Sequence, residues 1–406
     1  MESECDQIRS GAQASLHGIL VADFSRVLAG PLAAMFLGDL GATVIKVERP
    51  GTGDDSRAWG PPYVGSMSTY FTSANRNKRS VTIDLADPAD VRLARTLATR
   101  ADIMIENFLP GKLAQFDLDP ASLHRDNPGL VYCSISGFGG GEAAFAPGYD
   151  FVVQAVGGLM SVTGQPGGEP TKVGVPVVDV LTGLHATIGI LAALRERDRS
   201  GLGQHVEVNL LSSSISSLVN QGAGYINGTG TPVAMGNRHP SVAPYETLRA
   251  KDGPLALAVG NDRQFRALAN ALEMPELALD HRFRTNPDRV THRDELAVQV
   301  ESALKMDTAA NWARRLQEAG LACGTVNDIA GALALATRLG LNPVASFPAS
   351  AQTPPISTLA NPLRLDRTPV RYERPPPALG ADSKAIRGWL ESDHTELSDW
   401  DVPTGT

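Results

Sequence analysis

The chain has 406 residues, 42% of them hydrophobic and 20% charged, which is material for a large core in about two domains and excludes a disordered polypeptide. The net charge of −8 and pI of about 5.5 exclude a nucleic-acid groove as the main function, yet a polyanion can still bind where Arg, Lys and backbone N–H groups converge. Cys5, Cys133 and Cys323 form neither a disulfide framework nor a CxxC metal pattern. No apolar run reaches the roughly 18 residues of a membrane span, and the opening MESECDQIRSGAQ resembles neither a signal nor a transit peptide. A soluble cytoplasmic protein, with no nucleic-acid or membrane partner, is expected.

A polar tail, 1–17, precedes GILVADF (Gly18–Phe24), a short apolar run that reads as a buried strand. SRVLAGP leads into PLAAMFLGDLG, a helix with Pro31 in its first turn and Gly41 at its end. ATVIKVER is the next strand, so the segment is a βαβ unit with parallel pairing. The alternation continues through SVTIDL, the amphipathic DPADVRLARTLATRA, ADIMIENF and GLVYCSISGF, the pattern of a doubly wound α/β domain. A glycine-rich middle (GFGGG, GYD, VGGLMSVTGQPGG) is followed by a long apolar helix, VVDVLTGLHATIGILAALRERDRSG, and then by the strand QHVEVN. From about Gly236 the texture changes to short strands and helices, among them Thr291–Lys305 and Thr308–Ala319. The reading is a large domain over 18–236, a smaller α/β domain over 237–328 and a C-terminal return over 329–406.

The turn Ser25–Pro31 has one glycine and lacks GxGxxG, so a dinucleotide on the first helix is poorly supported. SGFGGG lacks the lysine and Ser/Thr of a P-loop, there is no GxSxG elbow, and the eight histidines form no HxxxH or HExxH pattern. No metal site is expected. His185, on an apolar helix, reads as a core histidine. Carboxylates remain. Asp179, in KVGVPVVDVLTGLHA, stands just before a helix, where an aspartate caps the first-turn N–H groups or serves as a nucleophile. Asp150, in GYDFVVQA, has the same ambiguity, and spacing does not choose.

The run VLAGPLAAMFLGDLGATVIKVERPGTGDDSRAWGPP resembles the opening of the family III CoA-transferases (the CaiB/BaiF type). NRNKRSVTIDL, ADIMIENFLPGKL, ISGFG, GYDFVVQAVGGLMSVTG, VDVLTGLHATIGILAAL, GNRHPSVAPYE and RPPPALG continue the likeness over about residues 18–380. Within the family, GDDSRAWGPPYVGSMSTYF, NRNKRS and NRHPSVAPY are most similar to the succinyl-CoA:glutarate branch. The resemblance implies a Rossmann-like large domain with a smaller inserted α/β domain, in an interlocked-ring homodimer. It implies Asp179 as the nucleophile of V-x-D-x-x-T-G, and CoA contacts from Val27, Arg49, Asn107 and Phe108. Tyr149 would lie near the thioester with Asp150 beside it. No permanently bound cofactor is implied; coenzyme A and its acyl thioesters are substrates, with a small (di)carboxylic acid as the acceptor. A distal carboxylate needs a cation, for which Arg57, Arg76, Arg79 and Arg238 are candidates.

The implied reaction suits a carboxylate, because an aspartate of ordinary pKa near 3.9 is ionised at pH 7 without a base. The glycine-rich segments GFGGG and VGG would supply a mobile cover and oxyanion donors. Departures from the family pattern are FAPGYD, where relatives carry a basic residue, GLACGTV, and residues 329–360. Two alternatives stand beside transfer. One is an acyl-CoA racemase, which in this family carries His-Asp where Tyr149-Asp150 stands here. The other is a non-catalytic CoA-binding subunit.

Overall fold

The computed structural model describes residues 13–349 and 354–392; Cys5, most of the polar tail and the end of the C-terminal return lie outside the described residues. Six strands form one sheet: β1 Leu20–Asp23, β2 Thr43–Glu48, β3 Lys78–Thr82, β4 Ile103–Glu106, β5 Val131–Ser136 and β6 His205–Asn209. Their order is β3-β2-β1-β4-β5-β6, and every pair is parallel. This is the doubly wound arrangement, and its strand order reverses between β1 and β4.

The helices of this unit are α1 Ala29–Asp39, α2 Pro88–Arg100, α3 Pro120–Asp126, α4 Asp150–Val156, α5 Val177–Ser200 and α6 Leu210–Ser216. Successive strand side chains point to opposite faces, and both faces are covered. Leu20, Ala22, Ile45 and Met104 pack with Ala94 and Leu97 of α2. Val21, Val44, Ile103 and Val131 pack with Leu37 of α1 and Ala186 and Ile190 of α5. Burial on both sides is why the strands read as continuous apolar runs.

Helix α5 spans 24 residues and is apolar enough to cross a membrane by length and composition, which corrects the expectation that no such run exists. Here its Val178, Ala186 and Ile190 side chains are core residues. Gly183 lets α5 approach α1: a Cβ there would stand 2.7 Å from the Ala29 carbonyl oxygen.

The second unit comprises Met160–Lys172 and Gly224–Leu341; the described residues outside it form the first. It thus starts before residue 237 and ends after 328, taking in a helix that the sequence reading did not single out. Its sheet is antiparallel, β7 Tyr245–Arg249, β8 Pro254–Ala258 and β9 Ala322–Thr325, with β8 central. The helices α7 Asp262–Ala271, α8 Arg293–Leu304, α9 Ala309–Glu318 and α10 Ile329–Arg338 follow the same chain order. Leu255, Leu257, Phe265, Leu296 and Trp312 form its core. The chain then returns to the first unit through a hairpin, β10 Val344–Phe347 with β11 Ile356–Leu359, and ends its described part in α11 Ser383–Glu391. Ile386 and Trp389 of α11 join the α2 side of the core.

Arg76 ties this return to the sheet. Its guanidinium donates to both oxygens of Asp39, at 2.9 and 2.6 Å, and to the Leu359 carbonyl at 2.7 Å. Asn77 and Asn361 donate to the same carboxylate. Arg76 and Asp39 are both buried, so removing one partner strands the other charge away from water. Arg76→Met is expected to cost roughly 3–5 kcal/mol, read as a lower urea midpoint. The double variant Arg76→Met/Asp39→Leu is expected to recover most of that loss.

Candidate active site

The site begins where the strand order reverses, because the loops after β1 and β4 diverge there and leave a crevice at the C-terminal ends of the strands. Val27, in the loop after β1, has φ of 72°, a left-handed conformation that is strained for a β-branched residue. Three contacts hold it. The Val27 N–H donates to both Asp54 oxygens at 3.2 and 3.3 Å. The Asn107 side chain accepts from the Arg26 N–H at 2.9 Å and donates to the Arg26 carbonyl at 2.8 Å. Lys46 Nζ donates to the Ser25 carbonyl at 2.9 Å and lies 2.8 Å from Asp54, with both side chains fully buried. Burial alone would raise the Asp54 carboxyl, but the Lys46 ammonium, together with hydrogen bonds from Lys46 and Ser56, outweighs it and holds the group at about 2. A second buried pair, Lys78–Asp23 at 2.9 Å, closes the network beneath, where Asp23 also accepts from Ser25. Strain at one residue is offset by a rigid ionic floor.

Asp179 is not a helix cap. Helix α5 begins at Val177, so Asp179 is its third residue, and the cap position is Pro176 with no side-chain bond. The capping group is Asp150, from the start of α4. Its Oδ1 accepts from the Val178 N–H at 2.8 Å and the Asp179 N–H at 3.3 Å. Gln154 donates to the other Asp150 oxygen at 2.6 Å. Two carboxylates are thereby held together, one satisfying the helix and one left for chemistry. Asp179 is only 9% exposed. Burial first, and the Asp150 charge second, push its carboxyl up to about 7, so the ordinary value used above does not hold here.

Asp179 opens on a cleft of about 240 Å³ that Arg26, Val27, Asn107, Phe108 and Tyr149 also line. The first turn of α1 reaches the same cleft through Leu28 and Ala29, without a side-chain cap; the positive end of a helix favours an anion there. Tyr149 is 56% exposed. The glycines before it are structural: Gly137 and Gly148 cross backbone to backbone, and a Cβ on Gly148 would come within 2.4 Å of the Gly137 Cα. Their role is to bring Tyr149 and Asp150 against the end of β5.

A second cavity of about 490 Å³ adjoins the cleft, sharing Arg26 and Phe108. Its apolar wall includes Phe24, Ile83, Leu85 and Phe116, and its cations are Arg26, Arg49 and Lys112. Arg49 is paired with Asp55 at 2.7 Å and is half exposed.

The arginines considered for a distal carboxylate are scattered. Arg57 gives its guanidinium to Glu48, at 2.7 Å from Nε and Nη2, and lies over the Phe71 ring. Arg76 is committed to Asp39 as described. Arg79 lies within β3, opposite Ile45. Arg238 belongs to the second unit, where it pairs with Glu246 at 3.0 Å and Asp294 at 2.6 Å beside a cavity of about 940 Å³. His185 is hydrogen-bonded through Nδ1 to Ser213 at 3.0 Å.

Sequence reasoning did not single out Arg26, Asp54 or Tyr70. Burial, then the charges of Asp179, Asp150 and Asp54, push the Tyr70 phenol up to about 12, so it stands as a neutral donor in their field. Trp59 packs edge-on against it, ring centroids 5.0 Å apart. The available signal was GDDSRAWGPPYVGSMSTYF, which carries all but Arg26 on one loop.

Comparison with known proteins gives one result throughout. The sequence model of CoA-transferase family III matches residues 16–383. The succinate–glutarate CoA-transferase of Agrobacterium fabrum is 42% identical over 93% of this chain and 96% of its own. The succinyl-CoA:glutarate CoA-transferase of Mus musculus is 38% identical over 95% of this chain and 87% of its own. A crystal structure of a CaiB/BaiF family protein from Brucella suis superposes with a TM-score of 0.81 at 39% identity, over 93% of this chain and all of that one. With its parallel sheet and with Asp179 at the sheet's switch-point cleft, this chain belongs to CoA-transferase family III.

Proposed function

We propose that this transferase moves CoA between small carboxylic acids through covalent intermediates on Asp179. The observation that carries the reading is the placement of Asp179: buried, held beside a second carboxylate, and facing the one cleft that joins the strained Val27 turn to the Asn107–Phe108 turn. The Asp179 carboxylate attacks the thioester carbonyl; the C–S bond breaks and CoA leaves as thiolate, giving a mixed anhydride. The thiolate then attacks the aspartyl carbonyl, and the C–O bond breaks to release the donor acid and leave an aspartyl-CoA thioester. An incoming carboxylate reverses both steps. No proton is transferred in this sequence, so no histidine base is required.

The environment suits each step. Poor solvation makes an anion a better nucleophile and keeps water from the anhydride. The first turn of α1, uncapped and facing the cleft, suits the oxyanion of each tetrahedral intermediate. Asp150 keeps α5 in place without itself facing a reacting carbonyl. The largely apolar cavity lined by Phe24, Ile83 and Phe116 suits an adenine ring, and Arg26, Arg49 and Lys112 beside it suit the phosphates. Tyr149, standing where a racemase would carry its histidine, offers no second base. Similar enzymes are named for succinyl-CoA with glutarate and mesaconate, and for acetyl-CoA with oxalate, so short dicarboxylates are the proposed acceptors. A homodimer is part of the proposal. Phe151, Val156, Leu184, Ile188 and Ile215, on the mutually packed α4, α5 and α6, are exposed apolar side chains of the kind a second copy would cover.

Exchange of labelled succinate or glutarate into succinyl-CoA is expected for the native protein. Asp179→Asn is expected to lower that rate by roughly 10³-fold or more, with circular dichroism unchanged. Exchange of α-protons with solvent and no acyl exchange would show racemase chemistry instead. The pH dependence is also specific. Only the ionised form of Asp179 attacks, so log(kcat/KM) is expected to rise with unit slope up to about pH 7 and then level. Stability runs the other way. A carboxyl whose folded pKa is raised stabilises the fold fully below its unfolded value near 4 and loses that contribution as pH rises through about 7. Asp179→Asn is therefore expected to melt above the native protein at pH 8, with the gap closing by pH 4.

A further inference from the structure

The apolar cavity of about 490 Å³ is electrically uneven from one end to the other. Its wall is built from the loops that follow four strands, whose order in the sheet is β3-β2-β1-β4. Asp84 comes from the loop after β3, Arg49 from that after β2, Arg26 from that after β1 and Lys112 from that after β4. Strands β2 and β1 stand between β3 and β4, so Asp84 and Lys112 lie at opposite ends of the cavity.

The charges between them are mostly paired. Asp55 lies 2.7 Å from Arg49 and 3.6 Å from Arg26, so one carboxylate serves both guanidinium groups. Glu48 is paired with Arg57, and Asp54 with Lys46. Lys112 differs. Its N–H donates to the Leu109 carbonyl at 2.9 Å and its carbonyl accepts from Gln115 Nε2 at 2.8 Å, which fixes its backbone. Its exposed ammonium has no hydrogen-bond or ion-pair partner among the described residues. The cavity thus has an anionic end, a largely neutralised middle and one cationic end whose charge is unspent.

The inference rests on the CoA reading given above, which places the thiol end of CoA beside Asp179. The diphosphate stands in the middle of that molecule, and the ribose 3′-phosphate and adenine at its far end. Arg26 and Phe108 line both the Asp179 cleft and the apolar cavity, so the chain of CoA passes from one to the other there and leaves its nucleotide end in the cavity. We propose that Lys112 is a specificity-determining residue: its ammonium binds the ribose 3′-phosphate and lets the enzyme distinguish CoA from the same molecule without that phosphate. A phosphate monoester carries a charge of about −1.5 to −2 at neutral pH. Asp84 repels it from one end of the cavity, and Lys112 attracts it at the other without surrendering an existing carboxylate contact. Arg49 would have to give up Asp55 to do the same.

The test is calorimetric titration of CoA and of 3′-dephospho-CoA into the native protein, Lys112→Gln and Lys112→Glu, at one pH and one ionic strength. The native protein is expected to bind CoA more tightly than the dephospho form by roughly fivefold or more. Lys112→Gln is expected to bring the two Kd values within about twofold of each other, chiefly by weakening CoA, and Lys112→Glu to make the dephospho form the tighter ligand. Equal binding of the two ligands by the native protein overturns the inference. So does a native-like preference in either variant, including the case in which both ligands weaken alike, which would put Lys112 at the diphosphate. Absence of binding of either ligand by the native protein overturns the CoA reading itself.

Discussion

Everything about the site depends on the Asp150 carboxylate being tied to the start of α5. A helix whose first turn holds the buried Val178 and Asp179 needs acceptors for its first N–H groups, and Asp150 supplies one for Val178 and Asp179 together. That bond fixes the direction of α5, brings α4 against it and sets a negative charge beside Asp179. Burial of Asp179 then does the rest, raising its carboxyl to about 7. A group with that value is ionised in about half of the molecules at neutral pH. In the proposed reaction the arrangement trades a fully charged nucleophile for a poorly solvated one.

The opposite wall is built on a different principle. Val27 holds a conformation its side chain disfavours, and a single hydrogen bond would not keep it there. The buried Lys46–Asp54 and Lys78–Asp23 pairs provide a floor whose charges cannot be exposed or separated without large desolvation and Coulomb penalties. Asn107 locks the Arg26 backbone from the neighbouring loop. A glycine-rich phosphate loop reaches a comparable crevice through freedom of φ; this chain reaches it by ionic constraint, which is why the usual glycine fingerprint is missing from the first turn.

The strands of the large sheet were legible because both of their faces are covered, leaving short apolar runs such as LVA and IMI that period and composition reveal. Helix α2 was legible from its Asp87-Pro88 start and amphipathic stripe. The strand order was not, since the reversal between β1 and β4 is a long-range pairing that no local window contains. For Asp179 the motif located the residue, while spacing left cap and nucleophile open: nothing in PVVDVLTG says that the helix starts two residues earlier or that a carboxylate 29 residues upstream does the capping. The close backbone crossing that requires Gly137 of GFGGG and Gly148 of GYD was not legible, because it joins segments that no local window pairs. Arg57 and Arg76 looked like substrate cations, yet each is paired with a buried carboxylate, Glu48 at the end of β2 and Asp39 at the end of α1, through pairings that sequence spacing does not reveal. Helix α10 was not singled out in the sequence, and none of its ten residues is buried.

The central claim is covalent attachment at Asp179, and trapping tests it most directly. The protein is incubated with succinyl-CoA, quenched with hydroxylamine and digested, and the peptide carrying Asp179 is examined by mass spectrometry. The account predicts an aspartyl hydroxamate on Asp179 that forms only when acyl-CoA is present. Active exchange with Asp179 left unmodified, or with the adduct on another carboxylate such as Asp150, would contradict it.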